Sequence, residues 1–316
     1  MIARWLAYLA LLVGLTVVRT AQADAGPGGR FVRTLTVYGG HLWVGTFNDG
    51  LFVADAWSTP EELENAGQVP APFRMVNDAL EVNGRLYVAA NEGLFVTRDG
   101  VAFERVREVG ARGVTGIAFD GRSLFATTTS ALWRVHVSLG APSSAVWWKP
   151  AGSRSLQGVV AEGGRVWLAS EDRGAILFDG KRFSAFDRLA GLPTSWAVAV
   201  AGDGQGGVFE ATLRDGAFHV DAAGHWKPLQ GLPSPWTLTI ARGEREVCVG
   251  TQEGAACYDS PSAAPATIWD APSSRIEGLP DPRVHVLLAA AGSLLVGTEA
   301  GAAFVTRNRE FTVSAQ

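Results

Sequence analysis

Lysine is nearly absent from this chain: three residues in 316 (Lys149, Lys181 and Lys227), so almost every cationic side chain is arginine. Charged residues make up only 18% of the sequence, with 27 basic against 31 acidic side chains and a formal net charge of −4. No clustered basic stripe exists, which excludes a nucleic-acid-binding surface. The five histidines (His41, His136, His219, His225, His285) show no metal-ligand spacing, and neither a nucleophile elbow nor a phosphate-binding loop is present. No metal or cofactor is expected. The longest apolar run near the N-terminus, Trp5 to Val18, has 14 residues, short of the roughly 20 that a membrane-spanning helix needs.

That run has another use. Met1 to Arg4 carry one positive charge, and Ala21-Gln22-Ala23 fits a small-residue cleavage site, so residues 1–23 read as a signal peptide cut near Ala23. No cysteine lies at the cleavage site, which argues against lipid attachment there, and no twin-arginine pair precedes the run. An uncleaved segment would be the chain's one route to a membrane. The expected location is the bacterial periplasm or the extracellular medium. Loss of Arg4 and Arg19 with the leader makes the mature chain, 24–316, two units more negative.

What the chain has in abundance is a repeated phrase. It appears as Leu42-Trp43-Val44-Gly45-Thr46, Leu86-Tyr87-Val88-Ala89-Ala90, Leu124-Phe125-Ala126-Thr127-Thr128 and Val166-Trp167-Leu168-Ala169-Ser170. It returns as Val208-Phe209-Glu210-Ala211-Thr212, Val247-Cys248-Val249-Gly250-Thr251 and Leu294-Leu295-Val296-Gly297-Thr298. The anchors at 44, 88, 126, 168, 210, 249 and 296 are spaced by about 42 residues, the period of a β-propeller blade. The predicted fold is all-β: one seven-bladed β-propeller of four-stranded antiparallel blades that uses the whole mature chain.

In the first repeat the predicted strands are Arg33–Tyr38, His41–Gly45, Leu51–Asp55 and Phe73–Val76, with Gly39-Gly40 and Asn48-Asp49-Gly50 as turns. Trp43, Tyr87, Phe125, Trp167 and Phe209 precede the anchor and read as packing between blades rather than as a ligand platform. A glycine opens the third strand in six repeats (Gly50, Gly93, Gly174, Gly216, Gly254, Gly301), as a positive φ at the turn's end demands. Thr59-Pro60-Glu61-Glu62 predicts a short helix near 60–65, and residues 260–280 an irregular loop around an outer strand at Ala266–Trp269. The last strand, Glu310–Val313, completes the seventh repeat, so no strand exchange between the termini is expected. A phase one strand out is the alternative. Cys248 and Cys257 lie on opposite arms of one hairpin. A two-residue turn at Gln252-Glu253 sets them face to face for a disulfide, whereas a bulge at Gly254 would send the sulfurs to opposite faces and leave two buried thiols.

Three repeats are joined by Gly191-Leu192-Pro193, Gly231-Leu232-Pro233 and Gly278-Leu279-Pro280, each before an inner strand, with a Val-Gly-Thr-type phrase two strands later. This order resembles the two-component regulator propeller repeat of periplasmic sensor regions in bacterial hybrid histidine kinases. It is strongest over residues 190–305, with a partial match at 35–55 and 80–95. The resemblance implies a sensory ligand- or partner-binding module rather than a catalyst. No transmembrane helix, coiled coil or kinase follows up to Gln316, so the expectation is a stand-alone module, monomeric, that does not itself carry a signal across a membrane.

Propeller ligands sit at the mouth of the central channel. Aligning the inner strands on Leu35, Leu80, Ile117, Val159, Val198, Leu238 and Val286 predicts a ring two residues earlier: Arg33, Asp78, Thr115, Gln157, Trp196, Trp236 and Val284. Arg283 and His285 stand near the same rim. The candidate ligand site is thus Arg33, Asp78, Gln157, Trp196, Trp236, Arg283 and His285, suited to an amphipathic small molecule or a peptide end. The alternative role for the two tryptophans is packing under the Gly-Leu-Pro loops. Turns on that face carry Asn48, Asp49, Asn91, Glu92, Glu171, Asp172, Asp215, Glu253 and Glu299, either an acidic crown for a cation or basic partner, or ordinary turn chemistry. A lactonase-type hydrolase or lyase would need several carboxylates converging on the channel, and the ring offers Asp78 beside Asn77 with no second acid. A sialidase-type site would need clustered arginines, and the ring has Arg33 alone. Thr97-Arg98-Asp99-Gly100 echoes an aspartate-box turn only once. The expected role is therefore non-enzymatic docking of a protein, peptide or small ligand in the cell envelope. The rivals are a channel-site hydrolase or lyase and an envelope assembly factor.

Overall fold

The computed structural model describes residues 30–55, 62–63, 65–138, 141–243, 246–259, 264–265, 267–270, 279, 281–290, 293–305 and 311–312. Twenty-eight strands form seven four-stranded antiparallel sheets, each built from four strands consecutive in sequence. The inner strands are Val32–Tyr38, Val76–Val82, Val114–Phe119, Leu156–Glu162, Ala197–Gly202, Thr237–Arg242 and Val284–Ala290. Each contacts the inner strand of the next blade, and the seventh contacts the first, closing the ring around a channel. The leader, residues 1–23, lies outside the described residues.

Among the described residues, closure uses no exchanged strand. Phe311–Thr312 pairs with Gly301–Val305 as the outer strand of its own blade. Blade 7 meets blade 1 through apolar packing instead: Val32, Leu35, Val44 and Phe52 with Leu295 and Ala302.

The repeated phrase is legible as chemistry at each of its positions. The residue before the anchor is buried against the following blade: Trp43 among blade 2 residues, Tyr87 with blade 3, Phe125 with blade 4, Trp167 with blade 5 and Phe209 with blade 6. The anchor faces the preceding blade, as Val44 does toward blade 7 and Val88 toward blade 1. Both faces of every second strand are thus covered, which is why these strands read as continuous apolar runs. The terminal threonine clamps its own turn. Thr46, Thr212, Thr251 and Thr298 donate through Oγ1 to the carbonyls of Gly50, Gly216, Gly254 and Gly301, at 2.9, 2.7, 2.9 and 2.8 Å. Each of these hydroxyls also accepts a backbone N–H from within the turn.

The glycines that open the third strands have positive φ in all six cases, from 62° at Gly174 to 141° at Gly93. Four of them also bridge blades. The amides of Gly50, Gly174, Gly216 and Gly254 donate to Arg74, Ser195, Pro235 and Pro282, carbonyls of the segments that lead into the next blade.

Two local expectations change. In blade 1 the outer strand is Gly67–Val69, not Phe73–Val76. Val76 instead opens the second inner strand, and Phe73 is a buried plug between blades, 5.0 Å from the ring of Phe95 and 5.3 Å from that of Phe103. Of the helix expected near 60–65, Glu62 and Leu63 are helical and residues 59–61 lie outside the described residues. The outer strand of blade 6 is Thr267–Asp270, with Ala266 outside the described residues.

Thr251 pairs with Gly254, so Cys248 lies opposite Cys257 and the structure joins them in a disulfide. Both are buried where blade 6 packs on blade 7. The bond closes a short loop, so the Cys248→Ala/Cys257→Ala chain should lose about 2–3 kcal/mol. Urea unfolding with and without reductant checks this, reductant having no effect on the double variant. A second test concerns close approach. A Cβ on Gly250 would sit 2.6 Å from both Thr239 Cγ2 and Val284 Cγ1, and 2.7 Å from the Val284 carbonyl oxygen, whereas one on Gly67 would meet nothing. Gly250→Ala should lower stability by about 1–3 kcal/mol and Gly67→Ala by less than about 0.5 in the same unfolding measurement.

Candidate functional site

Every inner strand carries a β-bulge at the same place. In blade 1, Val32 pairs with Thr46 and Thr34 with Gly45, so Arg33 is skipped by the ladder. The same break skips Asn77, Thr115, Gln157, Val198, Leu238 and His285. Before each bulge stands a fully buried residue (Val32, Val76, Val114, Leu156, Ala197, Thr237, Val284), while the bulged residue itself is partly exposed. A bulge re-aims its side chain out of the ladder, and seven in register set one residue per blade at the channel mouth.

The true ring is therefore Arg33, Asn77, Thr115, Gln157, Val198, Leu238 and His285. The sequence alignment of inner strands is correct for blades 1, 3 and 4, one residue late in blade 2, two early in blades 5 and 6, and one early in blade 7. Asp78 thus lies next to the ring position, and Trp196, Trp236 and Val284 do not occupy it. The aliphatic residue used for alignment stands at a different offset from the bulge in different blades, and in blades 5 and 6 it is the bulged residue itself, Val198 or Leu238, so the alignment slips.

The tryptophans belong to an outer rim. The carbonyls of Phe31, Met75, Ser155, Trp196 and Trp236 each accept an amide from the facing turn of their own blade, which makes these positions equivalent. After Gly-Leu-Pro, Thr194 and Ser234 accept the Trp196 and Trp236 amides through their hydroxyls, and Asp281 accepts the Arg283 amide. These side-chain turns fix Trp196, Trp236 and Arg283 at matching places on the rim. The neighbouring leucine does the packing: Leu192 is buried, and Leu232 and Leu279 pack against apolar clusters. Trp196 is 38% exposed, so it does not serve as a plug.

Arg214 was not singled out in the sequence. Its guanidinium carbon lies 4.8 Å from the Trp236 ring centre and 5.8 Å from that of Trp196, which builds a Trp–Arg–Trp stack across blades 5 and 6. The signal was available, since Arg214 is a cation in a turn where the other blades mostly carry acids or amides. Beside the stack is a cleft of about 290 Å³ lined by Glu171, Arg188, Thr194, Ser195, Trp196 and Arg214, with Leu213 and Asp215. A larger cleft of about 560 Å³ lies between Phe52, Gln68, Phe73 and Arg74; Asp49 of the acidic crown lines it, but none of the seven expected ligand-site residues does.

Blades 7 and 1 present the opposite chemistry. Arg283 binds Asp281 through two nitrogens at 2.8 Å each and Glu299 at 2.5 Å. The other Glu299 oxygen lies 3.1 Å from His285 Nε2. Burial holds the His285 pKa down against the pull of Glu299, with Arg33 and Arg283 adding to the lowering. Gln157 donates to Ser155 and Glu171, at 2.9 and 2.8 Å. Most of the acidic crown is spent locally: Glu92 accepts the Arg74 amide, Asp172 accepts Ser170 and the Arg154 amide, and Asn91 accepts Asn77.

Asp78 does not meet a second carboxylate. Its oxygens accept the Ala79 and Ile117 amides at 2.8 and 2.9 Å, tying blade 2 to blade 3. Burial nevertheless raises its pKa to about 6. Among the described residues one group has metal-like proximity, Glu246 with Cys248 and Cys257, and both sulfurs are committed to the disulfide. Asp99, in the turn that echoes an aspartate box, accepts Thr97 and the Val101 and Ala102 amides, an ordinary turn.

No protein-family model matches the sequence, and no curated protein matches it either. Solved structures do. The fold is similar to the extracellular domain of a hybrid two-component system of B. thetaiotaomicron, with a TM-score of 0.70 and 16% identity over 89% of this chain and 39% of that one. A second such system of that organism gives 0.65 and 14% over 89% and 40%. The computationally designed Ika8 protein gives 0.62 and 12% over 89% and 98%. The likeness to two-component sensor propellers expected from the Gly-Leu-Pro repeats is thus found at the level of fold. The chain spans about two fifths of the length of the two natural neighbours.

The strongest electrostatic anomaly lies off the mouth. Glu210 occupies the anchor position that is aliphatic in the other six blades, and it is fully buried. Neither oxygen completes a hydrogen bond among the described residues, although the Ala175 amide lies near enough to ease the charge slightly. Burial pushes its pKa up to about 8, with Asp187 adding to the rise. The folded state therefore holds a proton that the unfolded chain releases near pH 4.5. Stability falls as pH rises from there to about 8, by an amount on the order of a few kcal/mol. Unfolding measured from pH 5 to 9 should show wild type losing stability relative to Glu210→Gln, and parallel curves would contradict the assignment.

Proposed function

We propose that this chain is an exported, non-enzymatic sensory or docking propeller that binds its partner on the channel-mouth face. The observation that carries this reading is the Trp196–Arg214–Trp236 stack, half-open to solvent beside a cleft. Tryptophan and arginine are the side chains on which protein interfaces concentrate their binding energy. Loops held on a rigid ring suit docking, because their ordering is already done. The partner is a protein or peptide of the cell envelope.

Export to the periplasm or the medium, with cleavage near Ala23, is supported by the leader pattern and by the Cys248–Cys257 bond. The similarity to extracellular domains of two-component systems points the same way, as it does for a sensory role. A non-catalytic role is supported by the mouth chemistry: Asp78 is engaged by backbone amides, and Asp281 and Glu299 are taken up by Arg283 and His285.

A pull-down from native envelope extract tests the reading, comparing wild type with Trp196→Ala/Trp236→Ala. A specific partner retained by wild type and lost, or at least tenfold weakened, in the double variant is the expected result. No partner under mild extraction would sink protein docking. A hydrolytic activity abolished by Asp78→Ala would favour the enzymatic rival, and a partner that fails to mature without this chain would favour an assembly factor.

A further inference from the structure

Arg33 stands in the bulge of the first inner strand, and among the described residues no acid pairs with it. The guanidinium is largely buried, and burial lowers its pKa from the ordinary arginine value. Its partner in the structure is the Phe47 ring, 5.7 Å from the guanidinium carbon. Among the described residues no hydrogen bond or ion pair engages it. The charges nearby are already spent: Arg283 holds Asp281 and Glu299, His285 shares Glu299, and Arg30 pairs with Asp49 at 3.6 Å. Arginine is seldom buried without an anion, because an uncompensated charge out of water is costly.

The walls of this spot are apolar and aromatic. Phe31 and Phe47 stack at 5.4 Å, and Phe31 lies 4.3 Å from the His285 ring. The bulge positions of blades 5 and 6, farther round the mouth, are Val198 and Leu238. One planar guanidinium offers one fork of N–H donors, which matches a single carboxylate. Asp281 and Glu299 close by would repel an ion of higher charge.

We propose that the blade 7–blade 1 arc of the channel mouth is a binding site for a small organic monocarboxylate, whose carboxylate pairs with the Arg33 guanidinium while its apolar part lies against Phe31 and Phe47. The site rests on the reading that this face of the propeller binds ligands, and it adds what chemistry this arc takes. It is separate from the Trp196–Arg214–Trp236 stack of blades 5 and 6.

Thermal unfolding and titration calorimetry of the full chain test it, at matched ionic strength, with hexanoate, 1-hexanol and inorganic phosphate as probes. Hexanoate should raise the wild-type Tm by about 3 °C at ten times its Kd, and hexanol and phosphate by much less. Arg33→Met should be more stable than wild type without ligand, since an uncompensated charge is gone, and should bind hexanoate at least tenfold more weakly. Arg33→Lys, which keeps charge but not the fork, should fall between and guards against a variant that does not fold. Trp196→Ala/Trp236→Ala should respond to hexanoate as wild type does. A hexanoate response equal to that of hexanol, an unchanged response in Arg33→Met, or a ligand-free Arg33→Met less stable than wild type would each overturn the site. Phosphate acting as strongly as hexanoate would overturn the carboxylate assignment. Any of these outcomes leaves the docking reading standing if the envelope partner is still captured through the tryptophans.

Discussion

Each blade must bury both faces of its second strand, and everything else in this molecule follows from that demand. A lone four-stranded sheet with Trp43 on one face and Val44 on the other has no exposed side to offer water. Only two neighbours, one per face, can cover it, and a closed ring supplies two neighbours to every blade without leaving an edge pair uncovered. Closure by side-chain packing between blades 7 and 1 works here because Val32, Leu35 and Leu295 make that joint as apolar as the others.

The same close approach explains where the chain admits only small residues. Gly45, Gly250 and Gly297 follow the anchor at points where the next inner strand presses on the second. Glu210 is the exception that tests the rule: a carboxyl set in one of these interfaces with no partner oxygen or amine to meet it. A group of that kind stays neutral in the folded ring, so the interface between blades 4 and 5 differs electrically from the other six.

The inner strands vary in another way. A bulge in each releases one residue from the ladder, so the bulge position varies in chemistry from blade to blade while the ladder does not. The result is an uneven mouth, with Arg33 and His285 on one side, amides and hydroxyls at Asn77, Thr115 and Gln157, and Val198 and Leu238 beyond them. Such unevenness makes the arcs of the mouth chemically distinct, which a symmetric ring would not do.

The Cys248–Cys257 register stood between two turns until the structure paired Thr251 with Gly254, whereas blade number, strand order and the packing role of the phrase aromatics were legible in the sequence. They depend on spacings within one repeat, and local periodicity records those directly. The aligned ring coincides with the bulge position at Arg33, Thr115 and Gln157, and His285 was placed near the same rim. Asn77, Val198 and Leu238 were not assigned to it, because the aliphatic residues used for alignment stand at different offsets from the bulge and in blades 5 and 6 are the bulged residues themselves. Glu210 was visible as a lone acid in an aliphatic column. Only the tertiary structure decided that Arg214 lies between two tryptophans from different blades and that Arg33 meets no acid among the described residues. Those facts depend on how neighbouring blades meet in space, across stretches of chain that no local pattern spans.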